Sequence, residues 1–392
     1  MGRVAGTKRS PQTASARPVY LDCCATAPME ASVRDIVLRY MDEEYGNAGS
    51  RTHEYGANAK AAVERARDQV AAVVAAKRDE VIFTSGATEA NNLAVLGLVE
   101  AGARGRRHIV STAIEHKAVL EPLDVLRRRG FEVDLVLPTK GGWIDPAAIS
   151  SVLRPDTFLV SVMHANNETG VCQPIDKICG VLENHPAYLH VDAAQGFGKE
   201  LPTLQLPRID LISISGHKIY GPKGVGSLVA RKRGFERVPL APLAYGGGQE
   251  RGLRPGTIPV ALVAGLGAAA ELAVRTARER SQACIAFRDR LLTAIAPLKP
   301  HHNGDPSRAL PHVVNVSFAG VDSEAAIVAL KDIVAVSNGS ACTSHSYEPS
   351  HVLRAMGLPD ETIAGALRLS WSHLTPDPDW PAFVAAIRAL FS

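Results

Sequence analysis

An α/β fold, with a mostly parallel mixed sheet under covering helices, is predicted by three observations. Short apolar runs alternate with stretches of helical spacing between about residues 79 and 230. Polar or glycine-bearing turns follow the ends of those runs. The 392 residues are 46% hydrophobic, ample for a sizeable core and two or three domains.

Charge narrows the function less than it narrows the partners. The 43 Lys and Arg face 40 Asp and Glu, a net +3, and Arg3, Lys8, Arg9 and Arg17 sit in the first 17 residues without an acid. The remainder is nearly neutral, and nothing in it calls for direct nucleic-acid binding. The N-terminus has no continuous apolar run of the secretory kind, so residues 1–17 read as a disordered leader or an expression remnant. The apolar stretch Ile258 to Val274 is broken by Pro259, Gly265, Gly267 and Glu271, which predicts a buried helix and not a membrane span. Six cysteines (Cys23, Cys24, Cys172, Cys179, Cys284 and Cys342) show no C-x-x-C pair and no metal-like spacing. Free thiols in a reducing cytoplasm, and no metal site, are the expectation.

Taken in order, PVYLDCCATAP is a short extended segment closed by Pro28, and Ala31 to Tyr45 has helical spacing. A polar loop with Asn47, Ser50, Arg51 and His53 leads to a second helix from Ala57 to about Ala76, and its side chains suit the wall of a site. VIFT is then a buried strand, SGATEA a turn and NNLAVLGL the start of a helix. Ala87 and Thr88 at that helix N-terminus suit a phosphate group, although Thr88 and Glu89 serve equally as helix caps.

Strands HIVST, FEVDLVLP, TFLVSVM, AYLHVD and DLISIS follow, with helices at EHKAVL and Ile144 to Leu153 among them. Each of several strand ends carries one polar group. His116 suits stacking on a flat heteroaromatic ring, Asn166, Asn167 and Glu168 lie beyond the end of another strand, TFLVSVM, and Asp192, with Gln195 nearby, suits a protonated ring nitrogen. Lys218 comes last, in a loop bounded by Gly216 and Gly221. Alone, Lys218 is an exposed loop lysine and Asp192 a helix cap. Together, His116, Asn167, Asp192 and Lys218 gather on the C-terminal edge of one sheet, where open α/β folds place ligands.

From about Tyr20 to Ser392 the chain resembles the cysteine desulfurases of the class V aminotransferase superfamily, the NifS and IscS type. The matching stretches are YLDCCATAP, FTSGATEANNLA, EHKAVL, MHANNETG, HVDAAQ, SGHKIYGPKGVG, GGGQERGLRPGT and SNGSACTSHSYEPSHVLRAMG. The resemblance implies a pyridoxal phosphate-dependent transferase fold, aspartate aminotransferase-like. Residues 30–274 would form the large cofactor-binding domain, and residues 18–29 with 275–392 a smaller α/β domain. It also implies a homodimer.

By matched motif, Lys218 is the lysine that anchors the cofactor, Asp192 faces the pyridine nitrogen and His116 stacks on the ring. Gln195 and Asn167 face the phenolic oxygen and the substrate. Ala87, Thr88, Ser215 and His217 hold the phosphate, joined by Thr257 from the partner subunit. Arg368 clamps the substrate carboxylate with Asn167, and Ala25 and Thr26 lie beside it. Cys342, in a loop of small residues, is the nucleophile that takes sulfur from L-cysteine as a persulfide and leaves L-alanine. An acceptor protein then takes the sulfur for iron-sulfur cluster assembly, tRNA thiolation or, in DndA-like members, DNA phosphorothioation.

Departures from the pattern are Cys23 and Cys24, where an aromatic and a small residue are usual, Ala27 in place of threonine, and His345 in the Cys342 loop. A selenocysteine lyase or other class V lyase is the neighbouring alternative, and Cys342 argues for desulfuration. A weakly active sulfur-relay scaffold is the alternative from another class, and the intact set of Lys218, Asp192, His116, Cys342 and Arg368 argues against it.

Overall fold

The computed structural model describes residues 17–338 and 349–391. The expected leader lies, but for Arg17, outside the described residues. The chain enters through β1 (Val19–Tyr20) and an extended strap to Pro28. Helices α1 (Ala31–Asp42) and α2 (Glu54–Val73) follow. After β2 (Val81–Thr84) comes one continuous helical stretch: α3 (Ala87–Asn92), a π-helical turn over Leu93–Gly97, and α4 (Leu98–Gly102). Then β3 (His108–Thr112), α5 (Lys117–Arg128), β4 (Glu132–Val136), α6 (Pro146–Val152), β5 (Thr157–Met163), α7 (Ile175–Val181) and β6 (Tyr188–Asp192) alternate. Strands β7 (Leu211–Ser215) and β8 (Gly226–Ala230) complete a seven-stranded sheet in the order β2-β8-β7-β6-β5-β3-β4.

Only β8 runs against its neighbours, so the sheet is mixed and mostly parallel, as expected. Every residue of β5 and β7 is buried, because helices cover both faces. Parallel strands put their C-terminal ends on one edge, and the predicted site residues follow those ends.

A single helix, α8 (Val260–Ile295), ties two cores together. Val260, Val263, Leu266 and Ala269 pack in the core under the large sheet. Cys284, Phe287, Leu291 and Ile295 pack with Leu21, Trp371 and Phe383 in a second core. The helix predicted over Ile258 to Val274 is thus the first half of a longer one. Beyond Val274 the apolar stripe thins to positions at helical spacing among arginines, which hides it from a reading of continuous apolar runs. Its most apolar window has the length and composition of a membrane span, and half of that window is buried inside the fold.

The second core is covered by β9 (His301–His302), β10 (Val313–Ser317) and α9 (Ser323–Leu330), followed by β11 (Val334–Ala335). Two short helices, α10 (His351–Ala355) and α11 (Asp360–Ala364), precede β12 (Ala366–Ser370) and α12 (Trp380–Arg388). A three-stranded antiparallel sheet runs β12-β10-β9. Residues after 274 were expected in the smaller unit, yet Val352, Leu353, Met356 and Ile363 bury their side chains in the larger core. The N-terminal strap is pinned from the other end of the chain: Val19 pairs with Val334, and Cys23 N donates to Ser370 O at 3.0 Å. This carries Cys24, Ala25 and Thr26 to the edge of the large sheet.

Candidate active site

A cavity of about 670 Å³ opens at the C-terminal edge of the large sheet. Its lining includes every site residue predicted from the sequence that lies among the described residues, except Thr257. Thr257 is exposed on the surface of this chain, and Cys342, like His345, lies outside the described residues.

At one end sit Ser85, Gly86, Ala87 and Thr88, where β2 turns into the continuous helical stretch. Gly86 caps that helix with no side-chain hydrogen bond, so its first N–H groups keep their capacity for an anion. Glu89 meanwhile accepts from Ser85 N at 2.6 Å, which realises the capping reading of the motif through Glu89. The turn needs glycine at its neighbour as well: a Cβ on Gly226 would stand 2.6 Å from Gly86 Cα. Ser215 ends β7 beside this turn, and His217 Nδ1 lies 3.1 Å from Thr26 Oγ1. Burial, then the neighbouring Lys218 and Lys223, push His217 down to about 4, so it meets an anion as a neutral hydrogen-bond donor.

Across the middle, Asp192 at the end of β6 accepts from Asn91 Nδ2 at 2.7 Å and from Ala194 N at 2.9 Å. Among the described residues that line the cavity, Asp192 is the one carboxylate, against the cations Lys218, Lys223 and Arg368. His116 is the N-cap of α5, and its Nδ1 accepts from Ala118 N at 3.0 Å. Burial lowers the His116 pKa against the opposing pull of Asp192, and the neutral ring therefore carries its proton on Nε2. Lys218 Nζ donates to the carbonyl of Cys24, which also receives Gln195 Nε2 at 2.9 Å.

At the far end, Arg368 on β12 is almost fully buried. Its Nη2 reaches Asp22 Oδ1 at 2.6 Å and its Nη1 reaches the Asn167 carbonyl at 3.0 Å. Arg368 Nε, Gln195 Oε1 and Asn91 Oδ1 are buried with no hydrogen-bond partner among the described residues. Unpaired polar atoms of three lining residues mark a site built for a polar ligand. An open helix N-terminus, a fixed carboxylate and three cations fit a phosphorylated heteroaromatic ring and an amino acid carboxylate.

The sequence reading missed several lining residues. Asn91, which orients Asp192, was legible only as part of the NN that opens a helix. Lys223 sits in the same glycine-rich loop as Lys218. Cys24 enters through its carbonyl, which no side-chain pattern announces. Behind His116, Glu115 is wholly buried, and burial pushes its carboxyl up to about 8.

Comparison with known proteins gives the same direction. The Aminotransferase class-V family profile matches residues 19–378. The mitochondrial cysteine desulfurase of Drosophila melanogaster is 46% identical over 361 residues, 92% of this chain and 78% of that protein. Cysteine desulfurase IscS of Vibrio cholerae is 43% identical over 374 residues, 95% of this chain and 92% of that protein. The crystal structure of DndA from Streptomyces lividans superposes with a TM-score of 0.79 at 53% identity, covering 90% of this chain and 99% of that one.

Proposed function

The chain belongs to the Aminotransferase class-V family and is a pyridoxal phosphate-dependent cysteine desulfurase, and from that premise we propose how its residues divide the work. The observation that carries the proposal is the meeting of Lys218, Asp192 and His116 in one cavity with Arg368. Ala87, Thr88, Ser215 and His217 would hold the cofactor phosphate, with Thr257 supplied by the partner subunit of a homodimer. When bound, the ring supplies an electron sink for charge developing at the substrate Cα.

Asp192, fixed by Asn91 and Ala194, keeps a proton on the ring nitrogen. Lys218 would anchor the ring, and its amine would move the Cα proton. His116 stacks on the ring and presents Nε2–H toward the substrate sulfur. Arg368, its plane held by Asp22, offers its remaining edge to the substrate carboxylate, with Asn167, Ala25 and Thr26 alongside. Cys342, as thiolate, would attack the substrate Sγ. The Cβ–Sγ bond breaks with its electron pair left on the carbon skeleton, which takes up protons and leaves as L-alanine while Cys342 holds the persulfide.

We place the enzyme in the cytoplasm, where a reducing milieu keeps its thiols free. The higher identity to DndA than to IscS favours DNA phosphorothioation machinery as the destination of the sulfur. Two variants test the assignment. Lys218→Ala is expected to lose the visible absorption band of the bound cofactor. Cys342→Ser is expected to keep that band and release no sulfide from L-cysteine, and normal turnover in it would sink the mechanism. Labelled sulfur passed from Cys342 to co-purifying proteins identifies the acceptor.

A further inference from the structure

Two residues beyond Lys218, the backbone does something a bulky side chain rarely tolerates. Tyr220 has φ +65°, in the left-handed region, and is 4% exposed. Such a conformation persists only where surrounding structure overdetermines it, and three other elements do so here. The strap before α1 stitches the loop by backbone: Ala27 N donates to His217 O and Glu30 N to Tyr220 O, both at 3.0 Å.

The side chains add a buried cluster. Arg280, midway along α8, lies 4.9 Å from the centre of the Tyr220 ring, and His373, just after β12, meets that ring edge-on with centroids 4.9 Å apart. Glu30 Oε1 accepts from Arg280 Nη2 at 2.8 Å and from His373 Nε2 at 2.7 Å. Burial and the Arg280 charge hold the His373 pKa down, so it donates to Glu30 as a neutral ring. Arg280 falls between the residues of α8 that pack in the larger core and those that pack in the smaller. The cluster therefore clamps the Lys218 loop at the joint between the two cores.

We infer that Glu30, Arg280 and His373 are positioning residues that hold Tyr220 in its strained conformation and thereby set where the Lys218 amine stands. None of the three lines the cavity, so they act through the loop. This inference rests on Lys218 being the cofactor anchor.

The test uses the cofactor-loaded full chain and reads the pH titration of its visible absorption band, which depends on where the Lys218 nitrogen sits among the surrounding charges. Arg280→Met and Glu30→Gln are compared with Tyr220→Phe, which keeps the ring, and with Ile387→Ala, a change in the distant small core. In the first two, the midpoint of the band is expected to shift by about one pH unit. Their kcat is expected to fall about tenfold with KM within about twofold. Tyr220→Phe and Ile387→Ala are expected to titrate like the parent. If Arg280→Met lowers Tm as much as Ile387→Ala does and titrates like the parent, the cluster is merely structural and the inference is overturned. A band that survives Lys218→Ala overturns the anchor assignment and this inference with it, and that outcome is distinguished by its appearance in the Lys218 variant.

Discussion

As the proposed partner of the ring nitrogen, Asp192 needs its carboxylate to face one way, and Asn91 donates to it from the side. Asn91→Ala is expected to remove a hydrogen bond to a charged group, costing about 1.5–3 kcal/mol. The corresponding loss in cofactor affinity, roughly tenfold to a hundredfold, is measured by fluorescence titration. At the other end of the cavity, Arg368→Lys keeps the charge and loses the planar fork. Its KM for L-cysteine is expected to rise about tenfold or more, with the cofactor band unchanged. At this scale the strand-end residues were legible because parallel strands deliver their last side chains to one edge. Asn91 and the Cys24 carbonyl were not, since one serves a neighbour and the other belongs to the backbone.

Strands and helices set a different kind of sensitivity. His190, inside β6, points Nδ1 at Ser161 Oγ (2.8 Å) and Nε2 at Ser213 Oγ (2.9 Å), and burial holds it down to about 4. The folded chain thus refuses a proton that the unfolded chain takes up near 6.5. Its contribution to stability is complete above about pH 6.5 and is lost as pH falls toward 4, by at most about 3 kcal/mol. Urea unfolding at pH 7 and pH 5 is expected to show the drop, and His190→Gln to flatten it. Helix α8 carries its own constraint, because a Cβ on Gly267 would come within 2.6 Å of Ala66 Cα on α2. Gly267→Val is expected to destabilise the fold by about 1–3 kcal/mol in the same unfolding measurement. The apolar first half of α8 was legible from its sequence. The second half was not, since its buried positions are spaced too widely to form a run.

For the molecule as a whole, the sheet order and the convergence of distant motifs follow from tertiary packing, which no local pattern encodes. Six of the seven strands, all but β8, were legible as alternating elements. The antiparallel β8 and the seating of α10 and α11 in the larger core were not, because short apolar segments carry no address. Thr257 belongs to this scale: it is exposed, away from its own chain's cavity. A homodimer that lends Thr257 across the interface predicts that Thr257→Ala weakens cofactor binding. It also predicts that the sedimentation coefficient corresponds to two chains. A monomer with full cofactor affinity would contradict that arrangement.

The strap that lines the cavity has one more consequence, for how the protein is made. Residues 19–24 are made well before their partners, Val334, Ala335 and Ser370. The last strand of the large sheet is made by Ala230, but the core beneath it also takes side chains from α8, α10 and α11, so the sheet closes only after they have followed. A nascent chain stalled before β12 is therefore expected to hold a folded sheet without a finished binding site, since Arg368 and the Ser370 partner of the strap are still missing.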